Sequence, residues 1–138
     1  MRVLLMATAV AIALAGCGSS DADQVQTTLN QFAHAVATRN ATPICNRVLA
    51  PELVARIESV GLSCEYAIER FFFSCKVRNP TLTVGKVAIN GNNARALVYA
   101  GAKGQSGGLF AVRLIKTFHG WRVASESARK QSGGSCAH

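Results

Sequence analysis

The sequence lacks the residue patterns of common hydrolytic and nucleotide-binding sites. It has no Ser-His-Asp order, no HExxH motif and no glycine-rich phosphate loop. No carboxylate or histidine sits among apolar neighbours, the setting that raises or tunes the pKa of a catalytic group. The available acid, base and oxyanion candidates are scattered: His34, Glu65, Tyr66, Glu69, Tyr99, His119 and Glu126. The sequence therefore favours a protein that is not an enzyme, with no catalytic residue and no cofactor.

The sequence also lacks a CxxC pair, which argues against a structural metal site. Cys45, Cys64, Cys75 and Cys136 are separated by 19, 11 and 61 residues. These spacings match no zinc-ligand pattern. We predict that the protein binds no metal.

Acidic residues are scarce, because 7 Asp and Glu stand against 15 Lys and Arg and leave a formal net charge of +8. Such a balance is typical of proteins that meet nucleic acid or anionic headgroups. Nucleic acid is disfavoured, since the cations form no run and no aromatic side chains are interleaved with them. Arg95, Arg113 and Arg122 fall on neighbouring predicted strands. They form either a basic patch for an anionic lipid or acidic partner, or scattered solubilising charge.

No apolar run reaches the ~20 residues of a membrane-spanning helix. The run from Val3 to Leu14 follows Arg2 and ends in small residues, as secretory signals do. Leu14-Ala15-Gly16-Cys17 resembles the lipobox of bacterial lipoproteins at all four positions. The resemblance implies cleavage before Cys17 and a diacylglycerol on its sulfur. We expect a signal peptide over residues 1–16, a short lipidated tether over 17–21, and anchorage at the extracytoplasmic face of the cell membrane. The alternatives are a secreted protein cut elsewhere and an uncleaved anchor.

Once Cys17 is assigned to the lipid, an even number of cysteines remains, which indicates two disulfides outside the cytoplasm. Cys64 and Cys75 lie on one predicted helix, ~16 Å apart along its axis. A disulfide needs Cα atoms within ~7 Å, so this pairing is disfavoured. Two connectivities stay open: Cys45–Cys64 with Cys75–Cys136, or Cys45–Cys75 with Cys64–Cys136.

The apolar periodicity changes midway along the chain, from helical to strand-like. The first half predicts a helix over about residues 22–38, capped by Asp21 with Gln24 and ended at Asn40 by a left-handed turn. Two short helices follow, one capped by Thr42 and one starting at Pro51. A fourth helix is capped by Ser63.

The second half predicts strands over residues 82–89, 94–100, 109–117 and 121–127. Asn90-Gly91-Asn92-Asn93 is typical of a hairpin turn, and Gly85 marks a bulge. Residues 101–108 read as a polar loop. Helices followed by an antiparallel meander predict an α+β domain over residues 22–128, with a Gly/Ser-rich tail over 129–138 that Cys136 pins.

This order of elements resembles the NTF2-like superfamily (nuclear transport factor 2-like, also called SnoaL-like), and in particular small envelope lipoproteins of high-GC Gram-positive bacteria. The resemblance is carried by residues 40–45 leading into 49–53, by Cys64 opening a helix, and by the closing segment 120–124. It implies a cone in which three to four N-terminal helices pack on a curved four-stranded antiparallel sheet. It also implies the Cys45–Cys64 pairing, which leaves Cys75–Cys136.

Cones of this superfamily often hold an apolar pocket, and the resemblance implies binding of a small apolar ligand or lipid. We predict that the pocket is lined by Phe32, Tyr66, Phe72, Tyr99, Phe110 and Trp121. The alternative is an interaction module of an envelope complex, which uses the sheet face or Phe71–Phe73 to bind a protein partner or a second copy of the chain. An isomerase- or dehydratase-like enzyme is the least favoured function.

Overall fold

The computed structural model describes residues 18–74 and 78–128, without the side chains of residues 105 and 126–128. The helical half comprises α1 (Asp21–Ala37), α2 (Ala41–Pro43), a π-helix (Ile44–Val48), α3 (Pro51–Glu58) and α4 (Cys64–Ser74). The strands are β1 (Thr81–Asn90), β2 (Asn93–Ala102), β3 (Gln105–Thr117) and β4 (Gly120–Ala128). The predicted α+β class is confirmed.

The start of α1 corrects the predicted cap. Ser20 is the N-cap residue: its Oγ accepts a hydrogen bond from the Asp23 N–H at 3.2 Å. The Asp23 carboxylate accepts one from the Ser20 N–H at 3.2 Å, which completes a capping box. The prediction placed this motif one residue late. Asp21 is therefore free to contact the sheet.

The end of α1 differs from the prediction in a similar way. Arg39 adopts the left-handed backbone conformation, with φ at 53°, in place of Asn40. The Asn40 side chain instead accepts a hydrogen bond from the Thr42 N–H at 3.3 Å and caps α2. Asn serves as well as Thr at an N-cap, so the sequence pattern did not distinguish the two.

The sheet is an antiparallel meander in the order β1-β2-β3-β4. Gly91 takes a φ of 57° in the β1–β2 turn, and the register shifts between Val84 and Val87, where the Gly85 bulge was predicted. The prediction of a loop over residues 101–108 is wrong. Most of that stretch continues β2 and β3, with Ala100 opposite Gly108.

The helices pack on one face of the curved sheet, called here the inner face. Helix α1 contacts both edge strands, β1 and β4, so it crosses the sheet from edge to edge. The buried inner-face side chains on β2 are small or β-branched. The inner face contributes these buried residues to the core: Ala94, Ala96, Val98, Val112, Leu114, Trp121 and Val123.

The predicted Cys45–Cys64 disulfide is present and ties the π-helix to α4, with the two Cα atoms 6.0 Å apart. Beside it, the chain covers the edge of β4, since the Ala50 N–H donates to the Val123 carbonyl at 2.7 Å. The predicted signal peptide, the tail over 129–138 and the Cys75–Cys136 pair lie outside the described residues. Within the described part, no helix combines the length and apolarity needed to cross a bilayer.

Candidate binding surface

The six side chains predicted to line an apolar pocket lie in three different environments. Phe72 and Trp121 are buried in the core, and Phe32 packs against it. Phe110 is half-buried. Tyr66 on α4 and Tyr99 on β2 are 49% and 50% exposed, respectively. Tyr99 also points away from the inner face, because it neighbours the buried Val98 and side chains alternate along a strand.

The titratable candidates whose side chains are described form no hydrogen-bonded cluster. His34 lies exposed on α1, His119 lies exposed in the β3–β4 turn, and Glu65 and Glu69 lie on α4. No hydrogen bond joins any two of these side chains, or joins one of them to Tyr66 or Tyr99, among the side chains described. The described part of the chain also holds no group of three His, Cys, Asp or Glu that could bind a metal ion.

A surface groove runs beside α1 and has two adjoining lobes of about 410 and 340 Å³. Thr27, Gln31 and Arg47 line both lobes. Other donors of the groove are already used within the protein: an Arg122 guanidinium N–H donates to the Asn46 carbonyl at 2.9 Å. Of the predicted pocket residues, Trp121 alone lines either lobe. Two titratable candidates also line the groove, His34 in the first lobe and His119 in the second.

The face of the sheet that the helices leave uncovered, called here the outer face, carries a different combination of side chains. We define its central part as the outer patch. Leu97 is half-buried there, while Tyr99 and Leu109 lie directly opposite each other and Leu109 is 36% exposed. The five side chains of the outer patch are Arg95, Leu97, Tyr99, Leu109 and Arg113.

The outer patch is cationic at one end and apolar at the other. Arg95 and Arg113 are exposed and are direct partners across the β2–β3 ladder. The Arg113 Nε donates to the Ser125 Oγ at 3.4 Å. No carboxylate that the structure describes lies within salt-bridge distance of either guanidinium. Among the described side chains, neither arginine is therefore paired with an acid.

The position of Tyr99 in the outer patch depends on a glycine. A Cβ atom on Gly107 would overlap the Tyr99 phenol ring, which lies over that part of β3. The absence of a side chain at Gly107 therefore lets the ring lie against the backbone of the neighbouring strand. The contact holds an aromatic side chain flat on the outer face.

The outer face is free of acidic residues over most of its length. Strands β1, β2 and β3 contain no Asp or Glu, and β4 contains only Glu126, near its end. The six Asp and Glu of the helical half all precede Arg70. The sequence contains this separation of acidic residues into the helical half, but the net charge of the whole chain does not show it. Arg122, the third predicted member of a basic patch, lies on β4 opposite Ile115, but its guanidinium donates to the Asn46 carbonyl and lines the groove beside α1. It therefore does not join Arg95 and Arg113 in the outer patch.

A second group of exposed apolar side chains lies on α4. Phe72 is buried, whereas Phe71 is 55% exposed and Phe73 is 86% exposed. Adjacent residues of a helix point about 100° apart, so one residue of the triplet faces the core and its neighbours do not. Phe71 and Phe73 therefore lie on the surface at the C-terminal end of α4.

Comparison with known proteins gives a fold and no family. No family model and no curated protein matches the chain. Among solved structures, the chain is similar to the Kfla4162 protein from Kribbella flavida, with a TM-score of 0.56 and 16% sequence identity. The match covers 78% of this chain and 88% of that one. At this identity the similarity shows a shared α+β fold and nothing further.

Proposed function

We propose that this protein is an NTF2-like envelope lipoprotein that acts by binding, as an interaction module whose outer patch receives an acidic segment of a neighbouring envelope protein. The observation that carries the proposal is the pair of exposed guanidinium groups, Arg95 and Arg113, which have no salt bridge to any described carboxylate. They lie beside exposed apolar side chains on strands β2 and β3, which contain no Asp or Glu. An aromatic ring next to arginine is the composition typical of protein interfaces.

An acidic partner is favoured over a second copy of the chain. A symmetric dimer through the outer patch would set each patch against its own copy, since a two-fold interface uses the same surface twice. Arg95 and Arg113 would then approach the same two arginines, which is unfavourable without intervening acids. The sheet supplies no such acids up to Glu126. Charge complementarity therefore selects a different, acidic molecule.

The expected anchor favours a protein partner over the bilayer for this patch. Asp21, four residues after Cys17, contacts Lys116 at the β3–β4 end of the sheet. A tether at the end of the strands leaves the outer face, which runs along the strands, directed to the side. A side-facing surface on a tethered protein meets other envelope proteins.

Site-specific photocrosslinking in the producing cell tests the proposal. A photoreactive residue at position 97 should give one discrete cross-linked product, in which the partner's contact segment is rich in Asp and Glu. The same residue at Ala55, exposed on α3, is the matched control and should give none. Changing Arg95 and Arg113 together to Glu should abolish the product, and changing both to Lys should retain most of it. Equal cross-linking from both positions, or cross-linking indifferent to charge reversal, would contradict the proposal.

Binding of an apolar ligand within the cone stays a prediction. The buried positions of Phe72 and Trp121 place those side chains in the packed core, so a ligand there would have to displace them.

A further inference from the structure

The β3–β4 turn holds the most exposed large apolar side chain of the described residues. Phe118 is 98% exposed, and its ring lies edge to face against the His119 ring, with 5.4 Å between the two centroids. A fully exposed phenylalanine at a turn tip has no role in packing the core. Isolated exposed apolar residues are common, so the assignment of Phe118 depends on what lies beside it.

The turn beside Phe118 is well ordered by its own hydrogen bonds. The Thr117 Oγ donates to the Gly120 carbonyl at 2.7 Å and accepts from the His119 N–H at 3.2 Å. Gly120 takes a φ of 99°, which glycine adopts without strain. These contacts fix the backbone so that Phe118 projects from the end of the sheet.

The same end of the sheet receives the start of the described chain. The Asp21 Oδ1 accepts hydrogen bonds from the Lys116 Nζ at 2.8 Å and from the Trp121 Nε1 at 3.2 Å. The first residue of α1 is therefore fastened to the base of the hairpin that carries Phe118. Cys17 precedes Asp21 by four residues, which span at most ~14 Å when fully extended.

We propose that the β3–β4 turn is a second membrane contact, in which Phe118 inserts at the headgroup–acyl boundary beside the lipid on Cys17. The inference rests on the lipid anchor of the proposed function. The main support for the inference is the short length of the tether. Acyl chains on Cys17 would bring a bilayer within ~14 Å of Asp21, and the Asp21 carboxylate is paired with Lys116 of the hairpin. A single exposed aromatic ring is suited to such shallow insertion.

The insertion would orient the protein on the membrane. With both Cys17 and Phe118 at the bilayer, the chain has two separate contacts and cannot swivel freely about its tether. The turn between β1 and β2 lies at the same end, because the Lys116 N–H donates to the Asn92 carbonyl at 2.8 Å. The β2–β3 turn, which includes Lys103, then lies at the opposite end, away from the bilayer.

The only tryptophan of the chain reports on this contact. We would reconstitute the mature lipidated protein in phosphatidylglycerol–phosphatidylcholine vesicles whose acyl chains carry bromine, and measure quenching of Trp121 fluorescence. The wild type should be quenched. Phe118→Ser should lose most of the quenching, and Phe118→Leu should retain it because an apolar side chain is restored. Lys103→Ser, at the opposite turn, is the control and should leave quenching unchanged.

The outcomes separate this inference from the anchor itself. If all variants float with the vesicles but are quenched equally, the anchor is real and the insertion is wrong. If the mature protein carries no lipid and does not float, the anchor fails and the insertion fails with it. Spin labels in place of Phe118 and Lys103 give a second reading: the label at 118 should be shielded from a water-soluble relaxation agent and the label at 103 should not. Equal shielding would overturn the inference.

Discussion

Arg95 and Arg113 lie directly opposite each other on the outer face of the sheet, as partners across the β2–β3 ladder. Like charges opposed in this way destabilise a sheet, by roughly 0.2–1 kcal/mol for an exposed cross-strand pair. We therefore expect Arg95→Gln to leave the free energy of unfolding unchanged or to raise it by up to about this amount. Urea unfolding measures the change. A loss of stability would show that Arg95 has a structural role and would weaken its assignment to binding.

The Cys45–Cys64 disulfide should contribute strongly to stability, because it closes a loop of 19 residues between the π-helix and α4. Replacing both cysteines by Ala should lower the free energy of unfolding by about 2–4 kcal/mol. Urea unfolding without reductant measures it. Cys75→Ser with Cys136→Ser provides the comparison for the second predicted disulfide, and an unaltered midpoint in the Cys45/Cys64 variant would contradict the account.

The Asp21 carboxylate should make stability depend on pH. Hydrogen bonds from the Lys116 side chain, and then from Trp121, hold the pKa of Asp21 below its ordinary value. A carboxyl whose pKa is lowered by folding stabilises the protein above its unfolded pKa, and that stability is lost as the pH falls through the folded pKa. Asp21→Asn should thus lower the melting temperature at pH 7, and the difference from wild type should shrink in acid. A difference that stays constant down to pH 2 would contradict this assignment.

The Tyr99–Gly107 contact predicts a coupled pair of substitutions. Gly107→Ala places a methyl group in the phenol ring of Tyr99 and should destabilise the protein by about 1–3 kcal/mol, as overpacking does. Tyr99→Ala should remove most of that penalty, so that Gly107→Ala costs little in its background. A double-mutant cycle in urea measures the coupling. Additive effects would show that the ring does not lie over Gly107.

Much of the fold could be predicted from local sequence signals. Asn90–Asn93 indicated the hairpin, because a turn with positive φ favours Asn and Gly. Gly85 indicated the bulge, because the alternation of apolar residues changes there. Ser20 and Asn40 were missed as caps because each stands beside another residue able to cap. The strand pairing over residues 101–108 was missed because a glycine-rich segment is typical of a loop. In the structure, Gly107 instead lies in a strand and makes room for the Tyr99 ring of the neighbouring strand.

The candidate site could be predicted less well, since it depends on contacts between distant residues. Alternation along β2 separates Arg95 and Tyr99 from Ala96 and Val98, but only the packing of α1 shows which set is covered. The contact of Asp21 with Lys116 joins residues 95 positions apart. No local sequence pattern predicts that contact, which places Phe118 at the end of the sheet where the described chain begins.

The anchor at Cys17 is the claim on which both surface assignments depend, and an intact native mass of the protein extracted from its own membrane tests it most directly. The account predicts the mass of residues 17–138 plus a diacylglycerol and any further acyl chain, less four hydrogens for two disulfides. Additional non-covalent mass would reveal a ligand in the cone. A bare polypeptide mass, or one that begins at another residue, would contradict the account.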